Sequence, residues 1–399
     1  MARHYSITSF FRQVPNNLLA RYFRSQGLFV DLDIVAMKET KTDELFSQWL
    51  LLEEDQRKTK EAEFLKIFEM SCEKGFRAIM DEADWQMSND PDILNRFKEK
   101  LSNLPNHYHR AMVTYLDHRG CWQGALRFYH ADSLPYWRKR KNMGHAPAAV
   151  DRSSIELLAS RIREFFHDTE GRGSHCVVEP FRRGNLDYFF AYPEDYSQQS
   201  IEWVKGEFDE RPHNPAFEVV FVYSQTAGTL DLNFRGSYKA VEPLQAIFAE
   251  TILKLDELPP DPKDDRVYDL SPIGQKEFNF NYTAGSGIQN VTVKKLRLSS
   301  RVKKGDRITL EADTSENTDA VYELMDRIKN AGELHHYNVT QVELVASIVG
   351  DDDGPAKSVT IRITHPNSCS LKYDDVGLKL REMLEASGIE PKVAAESDT

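Results

Sequence analysis

The feature that limits the fold most is an internal repeat. NVTVKKLRLS at 290–299 aligns with NVTQVELVAS at 338–347, and RITLEA (307–312) aligns with SVTIRI (358–363). Each copy then enters a helical pattern, AVYELMDRIKNAG (320–332) and DVGLKLREMLEASG (375–388), closed by a glycine where a left-handed residue is wanted. Each unit reads strand, hairpin, strand, helix. One such unit leaves a sheet face uncovered, so two are expected to pair into a four-stranded sheet under two helices. FEVVFVY (217–223), TLDLNF (229–234) and PLQAIFAETIL (243–253) repeat that order of elements without a residue-level match.

The copies differ most at the hairpin. KKLRLSSRVKKGDR (294–307) carries seven cations and one acid, whereas VELVASIVGDDDGPAK (342–357) is acidic. The divergence predicts a polarised module: Lys294, Lys295, Lys303 and Lys304 face a phosphate or an acidic partner, and the second hairpin stays off it.

The first 145 residues follow another rule. Leu45, Trp49 and Leu52, then Phe64, Ile67 and Phe68, then Phe76, Ile79 and Met80 recur near a period of 3.6, and β-branched runs are nearly absent. Pro91 opens a helix with Asn89 as its cap, and a further helix runs from about His107 to His118 and stops near Gly120. Past a Pro- and Gly-containing connector, a helix at Ser153–His167 precedes strand-like HCVVEPF (175–181) and LDYFFAY (186–192). The predicted fold class is α then α+β. A helical domain spans 1–145, an α+β domain 150–255, an extended and solvated acidic Pro-rich linker 256–270, and the duplicated ββα domain 271–390, with units at about 290–332 and 338–388.

Charge divides with the fold. The 399 residues carry a net −12, but residues 1–150 are near +2 and residues 151–399 near −14. The total disfavours indiscriminate polyanion binding and leaves room for a local site. Four separated cysteines suit a reducing compartment. MARHYSITSFFRQ lacks a signal-peptide core, and no run approaches the ~18–20 apolar residues that span a bilayer. A soluble, cytoplasmic protein without a membrane partner is expected, and self-association is compatible with the sequence.

No phosphate-binding loop, nucleophile elbow, zinc-protease helix or kinase signature is present. The most distinctive constellation is basic and aromatic. Arg119, Arg127, Arg138, Lys139, Arg140 and Lys141 interleave with Trp122, Phe128, Tyr129, Tyr136 and Trp137, against the single acid Asp132. Cations neutralise phosphates and aromatic faces stack bases, so this stretch is a candidate nucleic-acid footprint. The N-terminal arm adds Arg3, Arg12, Arg21 and Arg24 beside Phe10, Phe11, Tyr22 and Phe23. A separate polar cluster, His175, Glu179 and Asp187, offers two carboxylates and an imidazole. Such a set can hold Mg²⁺ or Mn²⁺ and activate water for phosphodiester hydrolysis. The competing reading makes it a salt-bridged strand face with Arg182 and Arg183 as partners.

LLARYF and SCEKGFRAI, PFRRGNLDYFFAYPEDYSQ, GTLDLNFRGSYKAVEPLQAIFA and PNSCSLK together resemble a family of uncharacterised bacterial proteins. That resemblance implies a bacterial, cytoplasmic, multi-domain chain and brings no activity or site residue with it. The expectation is a non-enzymatic binding or regulatory subunit of a multi-protein system, with anti-phage defence one setting. It would contact nucleic acid or a protein subunit and need no cofactor. The alternative is a metal-dependent phosphodiesterase or nuclease using His175, Glu179 and Asp187.

Overall fold

The computed structural model describes residues 4–204, 206–260, 267–329, 334–349 and 356–390. Among them the helices are α1 (Ile7–Gln13), α2 (Asn16–Ser25), α3 (Asp43–Leu50), α4 (Glu54–Met70), α5 (Glu73–Gln86), α6 (Pro91–Ser102), α7 (His107–Asp117), α8 (Arg119–Ala131), α9 (Arg152–Glu170), α10 (Val241–Thr251), α11 (Ala320–Lys329) and α12 (Asp375–Ala386). The strands are β1 (Trp137–Arg140), β2 (Cys176–Arg183), β3 (Leu186–Pro193), β4 (Gln198–Val204), β5 (Glu207–His213), β6 (Val219–Ser224), β7 (Thr229–Phe234), β8 (Ile288–Ser300), β9 (Arg307–Glu311), β10 (Tyr337–Ile348), β11 (Lys357–Thr364) and β12 (Ser368–Cys369). The architecture is mixed α+β. Two compact units emerge: Met1–Ala131 with Arg182–Gly184 and Gln198–His213, and the remainder of the chain.

The first unit is helical and its core is aromatic. Phe10 stacks on Phe64 with ring centroids 4.7 Å apart, and Phe11, Tyr22, Phe23 and Trp49 are buried around them. Asp90, rather than Asn89, caps α6 by accepting from the Ile93 amide at 3.0 Å. That placement puts Pro91 at the first helical position, where its missing N–H costs nothing. Helix α7 ends at Asp117, close to where its stop is expected, but Gly120 lies inside a further helix because the chain runs on. It turns at His118 directly into α8, whose Cys121, Trp122, Ala125 and Phe128 form one buried face. The residues read as a basic–aromatic surface are therefore partly a core helix, because a 3–4 spacing of large apolar residues buries them whatever their neighbours. Strands β4 and β5 make a two-stranded ribbon in this unit.

The second unit holds one antiparallel sheet of ten strands, ordered β2-β3-β6-β7-β1-β12-β11-β10-β8-β9. The repeat strands adjoin as β11-β10-β8-β9, but the sheet continues past them because β12 and β1 link β11 to β7. Residues opposite one another in a ladder share a face, so the register tells which helices lie where. Leu230 and Leu232 of β7 pack with Phe189, Phe221, Leu158 and Phe166 of α9, and Leu244 and Phe248 of α10. Leu232 pairs with Arg138, Arg138 with Ser368 and Ser368 with Thr364. Ile363, next to Thr364, packs instead with Leu296, Leu344, and Leu380 and Met383 of α12. The pairs α9/α10 and α11/α12 thus cover opposite faces of one sheet, at opposite ends of its strand order.

The segment 256–270 is not a solvated linker throughout. Val267, Tyr268 and Leu270 are buried in the α11/α12 core, with the Tyr268 amide donating to Pro366 and the Asp269 amide to Ile389. Its acids suggest solvation, but the apolar residues of VYDL need cover and find it. Residues 261–266 lie outside the described residues, as do Gly332, the first of the two predicted helix-closing glycines, and Asp351–Asp353 of the acidic hairpin. The second, Gly388, has φ +71°, as a left-handed helix end requires.

Candidate nucleic-acid interface

Where α11 and α12 cover one face of β8–β11, the other face is solvated. Along β11, Ile361 and Ile363 are buried whereas Thr360, Arg362 and Thr364 are not. The ladder pairings assemble the opposite face row by row. One row reads Thr309, Arg297, Gln341, Thr364, Ser368, Arg138 across β9, β8, β10, β11, β12 and β1. The next reads Glu311, Lys295, Glu343, Arg362, and a third pairs Arg307 with Ser299 and Ser299 with Asn338. The first row crosses five strand spacings of ~4.8 Å, or about 24 Å.

Its charge is uneven. Glu311 is held by Lys295 at 2.7 Å and Glu343 by Arg362 at 2.7 Å. The Arg362 hydrogen bond, opposed by partial burial and helped by Lys295, keeps the Glu343 carboxyl below its ordinary range. With both acids engaged, Arg138, Arg297 and Arg307 have no carboxylate partner among the described residues. Among the described residues the Arg297 side chain donates to Gln341 Oε1, at 3.2 Å. Beyond this face the β8–β9 hairpin tip exposes Arg301, Lys303 and Lys304, with Asp306 3.5 Å from Lys303.

Two aromatic rings stand at the Arg138 end. Tyr238 is 59% exposed, and the Arg138 guanidinium lies 5.0 Å from its ring centroid. Tyr136 is 50% exposed, with its hydroxyl 3.4 Å from Arg362 Nη1. Its backbone is strained, at φ +64°, a region that aromatic residues rarely occupy.

The remaining predicted residues scatter. Trp137, Lys139 and Arg140 are not on the surface: they are 1%, 8% and 5% exposed, on a strand inside the sheet. Lys139 donates to Glu390 Oε1 at 2.5 Å and faces Asp231 across the ladder. Burial pushes the Lys139 ammonium down, but Asp231 and Glu390 together hold it above its usual range. Arg140 reaches Gln245 at 3.3 Å and the Pro259 carbonyl at 2.6 Å. Arg119 lies over the Tyr115 ring, its guanidinium 3.5 Å from the centroid, on α8 in the first unit with Arg127. Lys141 is half-buried just after β1. Phe10, Phe11, Tyr22 and Phe23 of the N-terminal arm are core, and Arg21 pairs with Asp117 at 2.5 Å. The sheet register brings Arg138 onto one face with Lys295, Arg297 and Arg362, and the sequence carries no local signal of that pairing, whereas Lys303 and Lys304 sit on the hairpin tip beyond it.

His175, Glu179 and Asp187 are not gathered into a group able to hold a metal ion, and no cluster of three or more His, Cys, Asp or Glu among the described residues is. The exposed His175 ring bonds Glu194 at 2.8 Å, and Asp187 is buried opposite Tyr223. Arg183 turns to Asp81, its Nε 2.9 Å away, and Arg182 lies 5.4 Å from the Trp85 ring centroid. Among the described residues no helix is long and apolar enough to cross a membrane. No family model and no curated protein matches this chain.

Proposed function

We propose that this protein is a non-enzymatic binding protein that holds nucleic acid across the open face of β8–β11, with β12 and β1 extending that face. The row from Thr309 to Arg138 carries the reading. A solvated face that serves solubility alone mixes both signs evenly. Here both acids are neutralised, and a surplus of arginine is interspersed with hydroxyl and amide groups. Guanidinium forks bind phosphate oxygens, and Ser, Thr and Gln bond phosphate and sugar. The finer organisation belongs to the same proposal. The units at 290–332 and 338–388 are a duplicated ββα pair, and the first hairpin has diverged to a basic tip that extends the face. The net charge of −12 then confines polyanions to this one surface.

The test is a fluorescence-anisotropy titration of a labelled oligonucleotide from 50 to 300 mM salt. Removing three cations, Arg297→Gln, Lys304→Gln and Arg307→Gln, should weaken binding about 100-fold at low salt. It should also flatten the dependence of log K on log salt by roughly 2, at ~0.7 per phosphate contact on a single strand. Arg152→Gln, Arg161→Gln and Arg163→Gln on exposed positions of α9 change net charge equally and should leave both quantities unaltered. Equal behaviour of the two triple variants, or salt-independent binding, would refute the proposal.

A further inference from the structure

Resting on that reading, we infer that the ligand is single-stranded and that Tyr136 and Tyr238 stack its unpaired bases. A face that served duplex backbone would need only its cations. This one ends in two half-exposed phenol rings, Tyr238 against the Arg138 guanidinium and Tyr136 two residues before Arg138 in the chain, where Arg138 closes the longest polar row. Both rings are tied to arginines of the face, Tyr238 beneath the Arg138 guanidinium and Tyr136 through its hydroxyl to Arg362. They are held in place without being buried, which leaves ring surface for a base. Phosphates on Arg297 and Arg307 would bring the strand to this end, and a stacked base needs no particular identity because every base has a π-face. In a duplex the bases are already stacked on each other and present no face to a tyrosine.

The backbone of Tyr136 supports the same conclusion. At φ +64° glycine would be at ease and tyrosine is strained. The chain enters β1 through this residue, and the strained residue directs the ring beside the open face while Trp137 turns into the core. A turn serving only to start the strand would carry Gly or Asn there.

The experiment compares wild type, Tyr136→Gly, Tyr136→Phe and Tyr238→Ala on four probes. These are a single-stranded DNA, a single-stranded RNA and a DNA duplex of one sequence, and a base-free strand with the same phosphates. Wild type is expected to bind the single strands at least tenfold tighter than the duplex or the base-free strand. Tyr136→Gly and Tyr238→Ala should each lose about tenfold on the single strands and nothing on the base-free strand, and Tyr136→Phe should keep most affinity. Glycine suits this backbone, so Tyr136→Gly should melt no lower than wild type, which separates loss of the ring from loss of the fold. The DNA and RNA arms tell the two sources of single strand apart. Equal affinity for all four probes, with tyrosine variants unchanged, would overturn stacking and leave the phosphate-binding reading standing. No binding to any probe would remove both.

Discussion

Glu390→Gln is expected to destabilise the second unit by about 3 kcal/mol, toward the low end of the range for breaking a buried ion pair. The Lys139 ammonium and the Glu390 carboxylate are both nearly inaccessible and meet at 2.5 Å. Removing the carboxylate charge leaves the ammonium desolvated with Asp231 as its remaining counter-charge. Asp231 is not idle, because it also accepts from the Tyr373 hydroxyl, so its compensation is partial. The Arg381 guanidinium, 4.4 Å from the Tyr373 ring, adds a second cation to the same pocket of charge. The effect reads out as a lowered denaturant midpoint for the whole chain with unchanged slope. Replacing both partners, Lys139→Met with Glu390→Leu, should recover part of the loss, since apolar pairs of similar volume often match a buried ion pair, while Asp231 is then left with the Tyr373 hydroxyl and the Arg381 cation. If the single variant shifts the midpoint by less than the equivalent of 1 kcal/mol, the pair is hydrated in solution.

That strand also shows where reading the sequence fails. The periodic elements were legible: Phe64, Ile67 and Phe68 mark α4, and the apolar runs at 219–224 and 229–234 mark β6 and β7. Both signals are local. The tetrapeptide WRKR of β1 has no apolar alternation, and three cations in four residues describe a surface. It becomes an interior strand only because Glu390, Asp231, Gln245 and the Pro259 carbonyl, distant in the chain, supply its partners. The ribbon β4–β5 was missed for the opposite reason: QQSIEWV and EFDERPH are largely polar, and the ribbon stays solvated. For the candidate interface, composition pointed separately to Arg138 and to Lys294, Lys295, Lys303 and Lys304. The larger part of the face is a product of register. Arg138, Arg297 and Arg362 lie far apart in sequence and share a surface because a two-residue strand, β12, bridges β1 to β11. A strand of two residues carries no periodicity to read.

In the helical unit, Glu82→Gln is expected to abolish a pH-dependent destabilisation. Glu82 on α5 is 2% exposed, and its carboxyl is pushed up to about 7 by burial, with the Gln86 hydrogen bond pulling the other way. The carboxyl packs directly against α8: a Cβ on Gly124 would lie 2.2 Å from the Glu82 carboxyl carbon, so a larger residue there would displace the Glu82 side chain. The same burial, with Glu82 as a lesser contribution, pushes the Cys121 thiol up to about 12. The sign follows from where the proton is held. The folded state binds it more tightly than the unfolded chain, whose glutamate titrates near 4.5. The stability from this group is complete below pH 4.5, declines as pH rises toward 7, and stays lost above it. A rise from 4.5 to about 7 corresponds to about 3.4 kcal/mol at most, and about 2 kcal/mol is the expected size of the effect. Glutamine retains the carbonyl oxygen that accepts from Gln86 at 2.7 Å and carries no charge to desolvate. At pH 8 the variant should therefore melt about 4–8 °C higher than wild type, while at pH 4.5 the two should coincide. Other acids give the protein its own pH profile, so the difference between the two curves is the quantity to measure. A difference that stays constant from pH 4.5 to 8 would mean that Glu82 titrates alike in the folded and unfolded chains, and that the α5–α8 contact admits a carboxylate at no cost.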